Sequence, residues 1–323
     1  MNPRDLRIVF MGTPAIAAFI LEAILGEGYQ VVGVVTAPDK PAGRGLKIHY
    51  SDVKVAALKW DLPIQQPTSL KSPEFQEALQ GWKPDVQVVV AFRMLPESVW
   101  ALPPMGTFNM HASLLPQYRG AAPINWAIIN GETETGVTTF LLDREIDTGK
   151  ILFREKIPVG ENETAGQLHD RIQEAGAAIV MKTLDALASG KAKPLDQEGL
   201  ITNSVELKKA PKIFKEDCQI DWNQPCQQVV NLIHGLSPYP GAFTTISHEG
   251  QQTTLKIFEA RAKQVPHAKT PGTLFSDGKS NLMFATPDGL VLVNSLQMAG
   301  KKRMNTSDFL RGFRAENLRS FPQ

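Results

Sequence analysis

The sequence predicts an α/β chain: a doubly wound, Rossmann-like N-terminal domain followed by a small C-terminal β-barrel. Three observations predict it. Apolar, β-branched runs alternate with helical stretches early in the chain, as βαβ units of a parallel sheet require. A polar stretch from Ala188 to Leu200, broken by Gly190 and Pro194, then reads as a linker. Beyond it, short strand candidates recur with turn residues between them, the pattern of a small barrel. A length of 323 residues exceeds what one hydrophobic core usually holds, which fits two domains. Their expected extents are 1–188 and 208–323, with 189–207 between them.

Each element has its own signal. Leu6 to Met11 is a short apolar run suited to a buried strand, ended by Gly12-Thr13-Pro14. Thr13 is placed to cap a helix and Pro14 to start it, so a helix is expected over Ala15 to about Leu25. A second β-branched run spans Tyr29 to Thr36, and Ser51 opens a helix to about Trp60. Val86 to Phe92 is almost wholly apolar, as a strand covered on both faces would be. Gly106 to Ala112 is a fourth strand. Gly136–Leu142 and Ile151–Ile157 are two more, joined through Asp143 to Lys150. A long helix from about Thr164 to Leu187, with Thr164 as its cap, closes the unit. In the C-terminal half a helix over about Cys226 to Leu236 precedes strands at Thr244–Ile246, Thr254–Glu259, Gly272–Leu274, Leu282–Ala285 and Leu290–Gln297.

Composition narrows the class. An apolar share of 42% with 21% charged residues is that of an ordinary soluble protein. No apolar run approaches the roughly 20 residues a membrane span needs, and the start, MNPRDLRIVFMGTP, has no cleavable signal architecture. Cys218 and Cys226 can form neither a disulfide framework nor a zinc site. A reduced, cytoplasmic protein is expected. Charge is uneven: 15 Lys and Arg face 10 Asp and Glu beyond residue 200, against 19 and 23 before it. A basic half of this kind suits a polyanionic partner, although so modest an excess also fits plain solvated surface.

Chemistry concentrates in FNMHASLLPQYRGAAPINWAIINGETETGVTTFLLDREIDTG, residues 108–149. Asn109 and His111 are two apart in a strand, so their side chains share a face just before a loop begins. An amide and an imidazole so placed can hold a developing oxyanion, and a nearby carboxylate can relay protons. Asp143, Glu145 and Asp147 all compete for that carboxylate role, and composition does not choose between them. The turn Gly12-Thr13-Pro14 sits where a dinucleotide fold would carry its glycine fingerprint, but it has one glycine, so a nicotinamide cofactor is not indicated. The other histidines, His49, His169, His234, His248 and His267, lack polar company and read as surface or supporting residues.

The run NMHASLLPQYRGAAPINWAI, followed by ETGVTTFLLDREIDTG, resembles the 10-formyltetrahydrofolate-dependent formyltransferases. FMGTPAIAAFILEAIL, APDKPAGRGLKIHYSDVKVAA, APKIFKEDCQIDW and NLIHGLSPYPGAF extend the resemblance over nearly the whole chain, toward the branch of that family that acts on methionyl-tRNA. The resemblance implies Asn109, His111 and Asp147 as catalytic residues and Ser113, Leu114, Leu115 and Pro116 as the wall of the folate pocket. It implies an OB-like fold for the C-terminal barrel. It also implies 10-formyltetrahydrofolate as formyl donor, no metal, initiator methionyl-tRNA as partner, no membrane, and a monomer. Arg119, in the same loop, is read as a brace more than as an anion ligand. The loop PDKPAGRGLKIHY becomes an RNA-engaging insertion carrying Lys40, Arg44 and Lys47, with glycines on either side of Arg44. Lys301, Lys302 and Arg303 become candidate grips on the tRNA backbone. The family more often has Tyr-Gly where this chain has Phe92-Arg93, beside the expected folate pocket. The alternative is a formyltransferase acting on a small-molecule amine.

Overall fold

Ile8–Gly12 (β1) is buried along its whole length, as its unbroken apolar run requires. The chain turns at once into Ala15–Gly26 (α1). Glycine is needed at position 12 because a Cβ there would stand 2.6 Å from the Ala17 Cβ and 2.9 Å from the Val90 carbonyl. The cap differs from expectation. Pro14, in extended conformation, is the N-cap, with no side-chain cap bond. The Pro14 carbonyl accepts the Ala17 and Ala18 N–H groups, while the Thr13 carbonyl is taken by the Val53 N–H. Thr13 is thereby drawn out of the capping position.

This computed structural model describes residues 1–42, 47–201, 206–248, 251–313 and 318–320. They fall into two units, one of Met1–Gly120, Thr135–Ile157 and His169–Lys209, the other of Ala121–Glu134, Pro158–Leu168 and Ala210–Gln323. After α1 come Val31–Val35 (β2), Lys40–Ala42 (β3), Lys47–His49 (β4), Asp52–Lys59 (α2), Ile64–Gln65 (β5), Pro73–Gly81 (α3), Val86–Val90 (β6), Glu97–Trp100 (α4), Thr107–His111 (β7), Arg119–Gly120 (β8), Pro123–Ile129 (α5), Glu134–Leu141 (β9), Ile151–Pro158 (β10) and Ala165–Ala188 (α6). Ser51 caps α2 as expected, its Oγ accepting the Lys54 N–H at 3.1 Å.

The N-terminal sheet has the order β10-β9-β7-β6-β1-β2-β5. From β5 to β7 every pairing is parallel. β9 is antiparallel to β7, because it enters at the carboxyl end of β7, pairing Thr138 with His111 and Leu141 with Phe108. β3 and β4 form a small antiparallel hairpin in the Gly- and Pro-rich insertion, where no strand period shows. Its pairing is backbone to backbone and asks no alternation of the side chains.

The C-terminal half begins with Lys209–Ala210 (β11) and Cys226–Gly235 (α7). Ala242–His248 (β12), Gln251–Gln264 (β13), Leu274–Ser276 (β14), Leu282–Thr286 (β15), Gly289–Met298 (β16), Met304–Asn305 (β17), Thr306–Gly312 (α8) and Leu318–Ser320 (β18) follow. The sheet runs β14-β15-β16-β13-β12-β18, antiparallel throughout, with β17 on β16. The expected barrel is this curled antiparallel sheet, a half-barrel. It closes over a core in which Trp222 stacks on Phe284 at 4.1 Å between ring centroids, with Cys226, Val229, Val230 and Ile233 of α7 buried against it. Both cysteines are free and buried.

Of the two expected places, surface or supporting, His234 takes the second and is 4% exposed. β13 slips register against β16 between Ile257 and Ala260, and the His234 Nε2 accepts the Ala260 N–H there at 3.3 Å. A bulge leaves a backbone donor without a ladder partner, and a buried donor needs one. Burial holds this imidazole below its ordinary value, partly opposed by the Ala260 hydrogen bond and the Glu259 charge. Among the described residues no helix is long and apolar enough to cross a membrane.

Candidate active site

β7 lies between β6 and β9, with Asn109 opposite Val89 and Phe140 and His111 opposite Thr138. His111 is 6% exposed, and its Nε2 lies 2.8 Å from the Tyr118 carbonyl oxygen. A carbonyl only accepts, so Nε2 carries a proton and donates it. Nδ1 stands 3.9 Å from the Asp147 Oδ2, within ion-pair reach and too long for a direct hydrogen bond. Asn109 Oδ1 is buried with no hydrogen-bond partner among the described residues. Leaving an amide oxygen so placed costs about 1–3 kcal/mol, which marks an amide held for something other than packing.

The three competing carboxylates differ in place. Asp143 and Glu145 are exposed. Asp143 Oδ1 accepts the Glu145 N–H at 3.1 Å and the Thr148 hydroxyl at 2.9 Å, which builds the turn. Asp147 is the one brought to His111. Its side chain is 12% exposed, and its Oδ2 accepts the Gly120 N–H at 3.0 Å. Its backbone is left-handed, φ 56°, a conformation Asp tolerates better than most residues. Gly149 closes the turn, where a Cβ would fall 1.7 Å from the Leu141 carbonyl oxygen. Burial alone does not reveal the next participant. Gln197, in the stretch read as a linker, is 2% exposed and hydrogen-bonded to this same turn. No motif around it signals the role.

Ser113, Leu115 and Pro116 are buried, and only Leu114 keeps partial exposure. The Ser113 hydroxyl donates to the Gln117 carbonyl at 2.6 Å, and Thr138 Oγ1 donates to the Ser113 carbonyl at 2.6 Å. Arg154 holds the Leu115 carbonyl at 3.1 Å. These residues fix the loop's shape. Arg119 is a brace: its Nε and Nη2 donate to Gln197 Oε1 at 3.2 and 2.6 Å. Arg93 of the unusual Phe92-Arg93 pair donates to the Thr68 carbonyl at 2.9 Å and to the Pro67 carbonyl, tying its segment to the chain before α3.

The basic candidates lie apart from this site in sequence. Lys40 is exposed on β3, Arg44 lies outside the described residues, and the side chain of Lys47 does too. Asp39, next to Lys40, accepts from Gln66 at 2.8 Å and from Lys54 at 2.5 Å. Those two hydrogen bonds, Gln66 first, hold its carboxyl below the usual range. Lys301 and Lys302 are exposed. Arg303 is committed locally, donating to Ser295 Oγ at 2.8 Å and to Glu259 at 2.6 Å while covering the Phe258 ring.

Residues 6–184 match the family model for formyl transferase, and residues 212–314 match that for the formyl transferase C-terminal domain. The chain is 54% identical over 314 residues to the methionyl-tRNA formyltransferase of Bacteroides fragilis, covering 97% of each. It is 48% identical over 307 residues to that of Flavobacterium johnsoniae, covering 95% of this chain and 96% of the other. Among solved structures, an N-formyltransferase from Helicobacter canadensis in complex with folinic acid and dTDP-3-aminofucose superposes with a TM-score of 0.65 at 19% identity, over 93% of this chain and 100% of that one. HypX from Aquifex aeolicus in complex with tetrahydrofolic acid gives 0.62 at 19% identity, over 94% and 47%. At such identities the superpositions speak for the fold. The two family models and the near-full-length relatives together place this chain in the formyl transferase family, a family of enzymes.

Proposed function

We propose that this enzyme transfers the formyl group of 10-formyltetrahydrofolate to the α-amino group of initiator methionyl-tRNA, with Asn109, His111 and Asp147 as its catalytic residues. The observation that carries the chemistry is the meeting of the His111 Nδ1 with the Asp147 carboxylate at 3.9 Å, on the strand that holds an Asn109 amide with a buried, unpartnered oxygen. Likeness to methionyl-tRNA formyltransferases over 97% of the chain, C-terminal domain included, supports the tRNA substrate over a small amine.

The donor supplies a formyl carbon carried on a nitrogen leaving group. The residues of this chain do the rest. Holding donor and amine in one site removes much of the entropic barrier to their meeting. As the amine adds, negative charge gathers on the formyl oxygen. The Asn109 amide NH₂ and, with His111 in its imidazolium form, the His111 Nδ1–H are the donors for it, each worth roughly 3–4 kcal/mol when preorganised. Nε2 cannot serve, because the Tyr118 carbonyl holds it. Asp147, on the Nδ1 side of the ring, passes the amine proton through water to the donor nitrogen, which leaves protonated as the C–N bond to the formyl carbon breaks. Ser113 to Pro116 shape the loop beside which the flat donor ring lies. Lys40, Arg44, Lys47, Lys301 and Lys302 are the proposed tRNA contacts, and Arg303 braces the turn that carries Lys301 and Lys302.

The test is a formyl-transfer assay with methionyl-tRNA, uncharged tRNA and a panel of small amines, including amino sugar nucleotides. Formylation of methionyl-tRNA alone is expected. Efficient formylation of a small amine, with methionyl-tRNA inert, would overturn the substrate assignment.

A further inference from the structure

Gln197 makes every hydrogen bond that a primary amide can make. Its Nε2 donates to the Asp147 carbonyl at 2.9 Å and to the Gly149 carbonyl at 2.9 Å. Its Oε1 accepts from Arg119 Nε at 3.2 Å and Nη2 at 2.6 Å. The amide's orientation is settled by chemistry: two carbonyls can face only the NH₂, and a guanidinium only the oxygen. The group is 2% exposed, so water cannot replace it.

The residues it joins are the two supports of one carboxylate. On one side is the main chain of Asp147, held left-handed at φ 56°. On the other is Arg119, whose chain neighbour Gly120 donates its N–H to the Asp147 Oδ2 at 3.0 Å. A left-handed Asp in a turn keeps its conformation where neighbours over-determine it. The bidentate grip on the carbonyls of Asp147 and Gly149 supplies that constraint, and the Arg119 fork ties the grip to the strand carrying the Gly120 N–H.

We propose that Gln197 is a positioning residue for the reaction, setting where the Asp147 carboxylate stands against His111 Nδ1. This rests on the assignment of Asp147 as catalytic. A displacement of about 1 Å at such a group costs on the order of 10²-fold in rate.

The experiment compares Gln197→Met, near in volume and without hydrogen bonds, with Gln197→Glu, which keeps the acceptor for Arg119 but has no donor for the two carbonyls. Each is assayed with 10-formyltetrahydrofolate and methionyl-tRNA, and its fold is checked by circular dichroism and thermal melting. In both variants kcat is expected to fall on the order of 10- to 100-fold while KM for either substrate stays within about twofold. In a single-turnover comparison, Gln197→Met added to Asp147→Asn is expected to cost almost nothing more, because the two act as a unit. Wild-type kcat in a folded Gln197→Met, full rescue by Gln197→Glu, or additive losses in the double variant would each overturn the proposal. If Gln197→Met does not fold, Gln197→Glu with its own Asp147→Asn pairing decides. Full turnover in Asp147→Asn alone would instead sink the underlying reading, a distinguishable result.

Discussion

The His111 Nε2 and the Tyr118 carbonyl, 2.8 Å apart, give the two ring nitrogens separate tasks. One is an anchor to the loop that follows β7. The other, Nδ1, is turned to the Asp147 carboxylate, 3.9 Å away.

Replacing His111 or Asn109 by Ala is expected to lower kcat by about 10²- to 10³-fold with little change in KM, since each interaction strengthens as charge develops on the formyl oxygen. Steady-state kinetics on variants of native circular dichroism check this. A near-normal kcat in either would remove that residue from the reaction.

Among the three neighbouring carboxylates, Asp147→Asn is expected to be severely impaired, whereas Asp143→Asn and Glu145→Gln should stay within a few-fold of wild type. Asp143 shapes the turn through Glu145 and Thr148, so its loss should cost about 1 kcal/mol of local stability and little rate. Measuring all three side by side decides. A dead Asp143→Asn beside an active Asp147→Asn would reverse the assignment.

The exposed pair Lys301 and Lys302 should act through charge and Arg303 through structure. Lys301→Ala with Lys302→Ala is expected to weaken tRNA binding and to reduce its salt slope by about one for each phosphate left without its lysine. Arg303→Ala is expected instead to lower stability by roughly 1 kcal/mol, because it gives up Ser295, Glu259 and the Phe258 face. Filter binding at several salt concentrations and thermal melts separate the two effects. An unchanged slope in the double lysine variant would dismiss these lysines as phosphate ligands.

His234 predicts an acid-sensitive C-terminal half. Its folded value is depressed, so the stability it contributes is present above its ordinary value of 6.5 and is lost as pH falls through the lowered folded value. The melting temperature of the wild type should therefore drop between pH 7 and 5 by more than that of His234→Gln, which can still accept the Ala260 N–H but does not titrate. Parallel losses in both proteins would point to groups other than His234.

Where the sequence was legible, a local rule and the tertiary structure agreed. β1 and β6 are legible because buried strands require continuous apolar runs, and α2 because Ser51 is an unambiguous cap. Asn109 and His111 were readable because strand periodicity is local. β5, α3, α4 and α5 carry short or mixed patterns that predict no element, although Ser72 caps α3 with Pro73 behind it. The reversal of β9 depends on which end of β7 it meets, and no local pattern encodes that. His234 shows no polar company in sequence because its partner is a bulge 26 positions away. Gln197 was hidden by its surroundings: a polar amide in a polar stretch gives no sign that it reaches back 50 residues to a turn.

That reach has a consequence for taking the chain apart. The polar stretch after α6 looks like the natural place to cut, or to join the N-terminal half to a different C-terminal module. A cut at Ala188 would keep Asn109, His111 and Asp147 yet remove Gln197 from beneath the turn. It would also remove Lys208, whose carbonyl accepts the Tyr118 N–H at 2.8 Å and whose own N–H donates to Gln117 at 2.9 Å. The loop that anchors His111 would then lose its outer support. A cut that spares both Gln197 and Lys208 has to fall after Lys208.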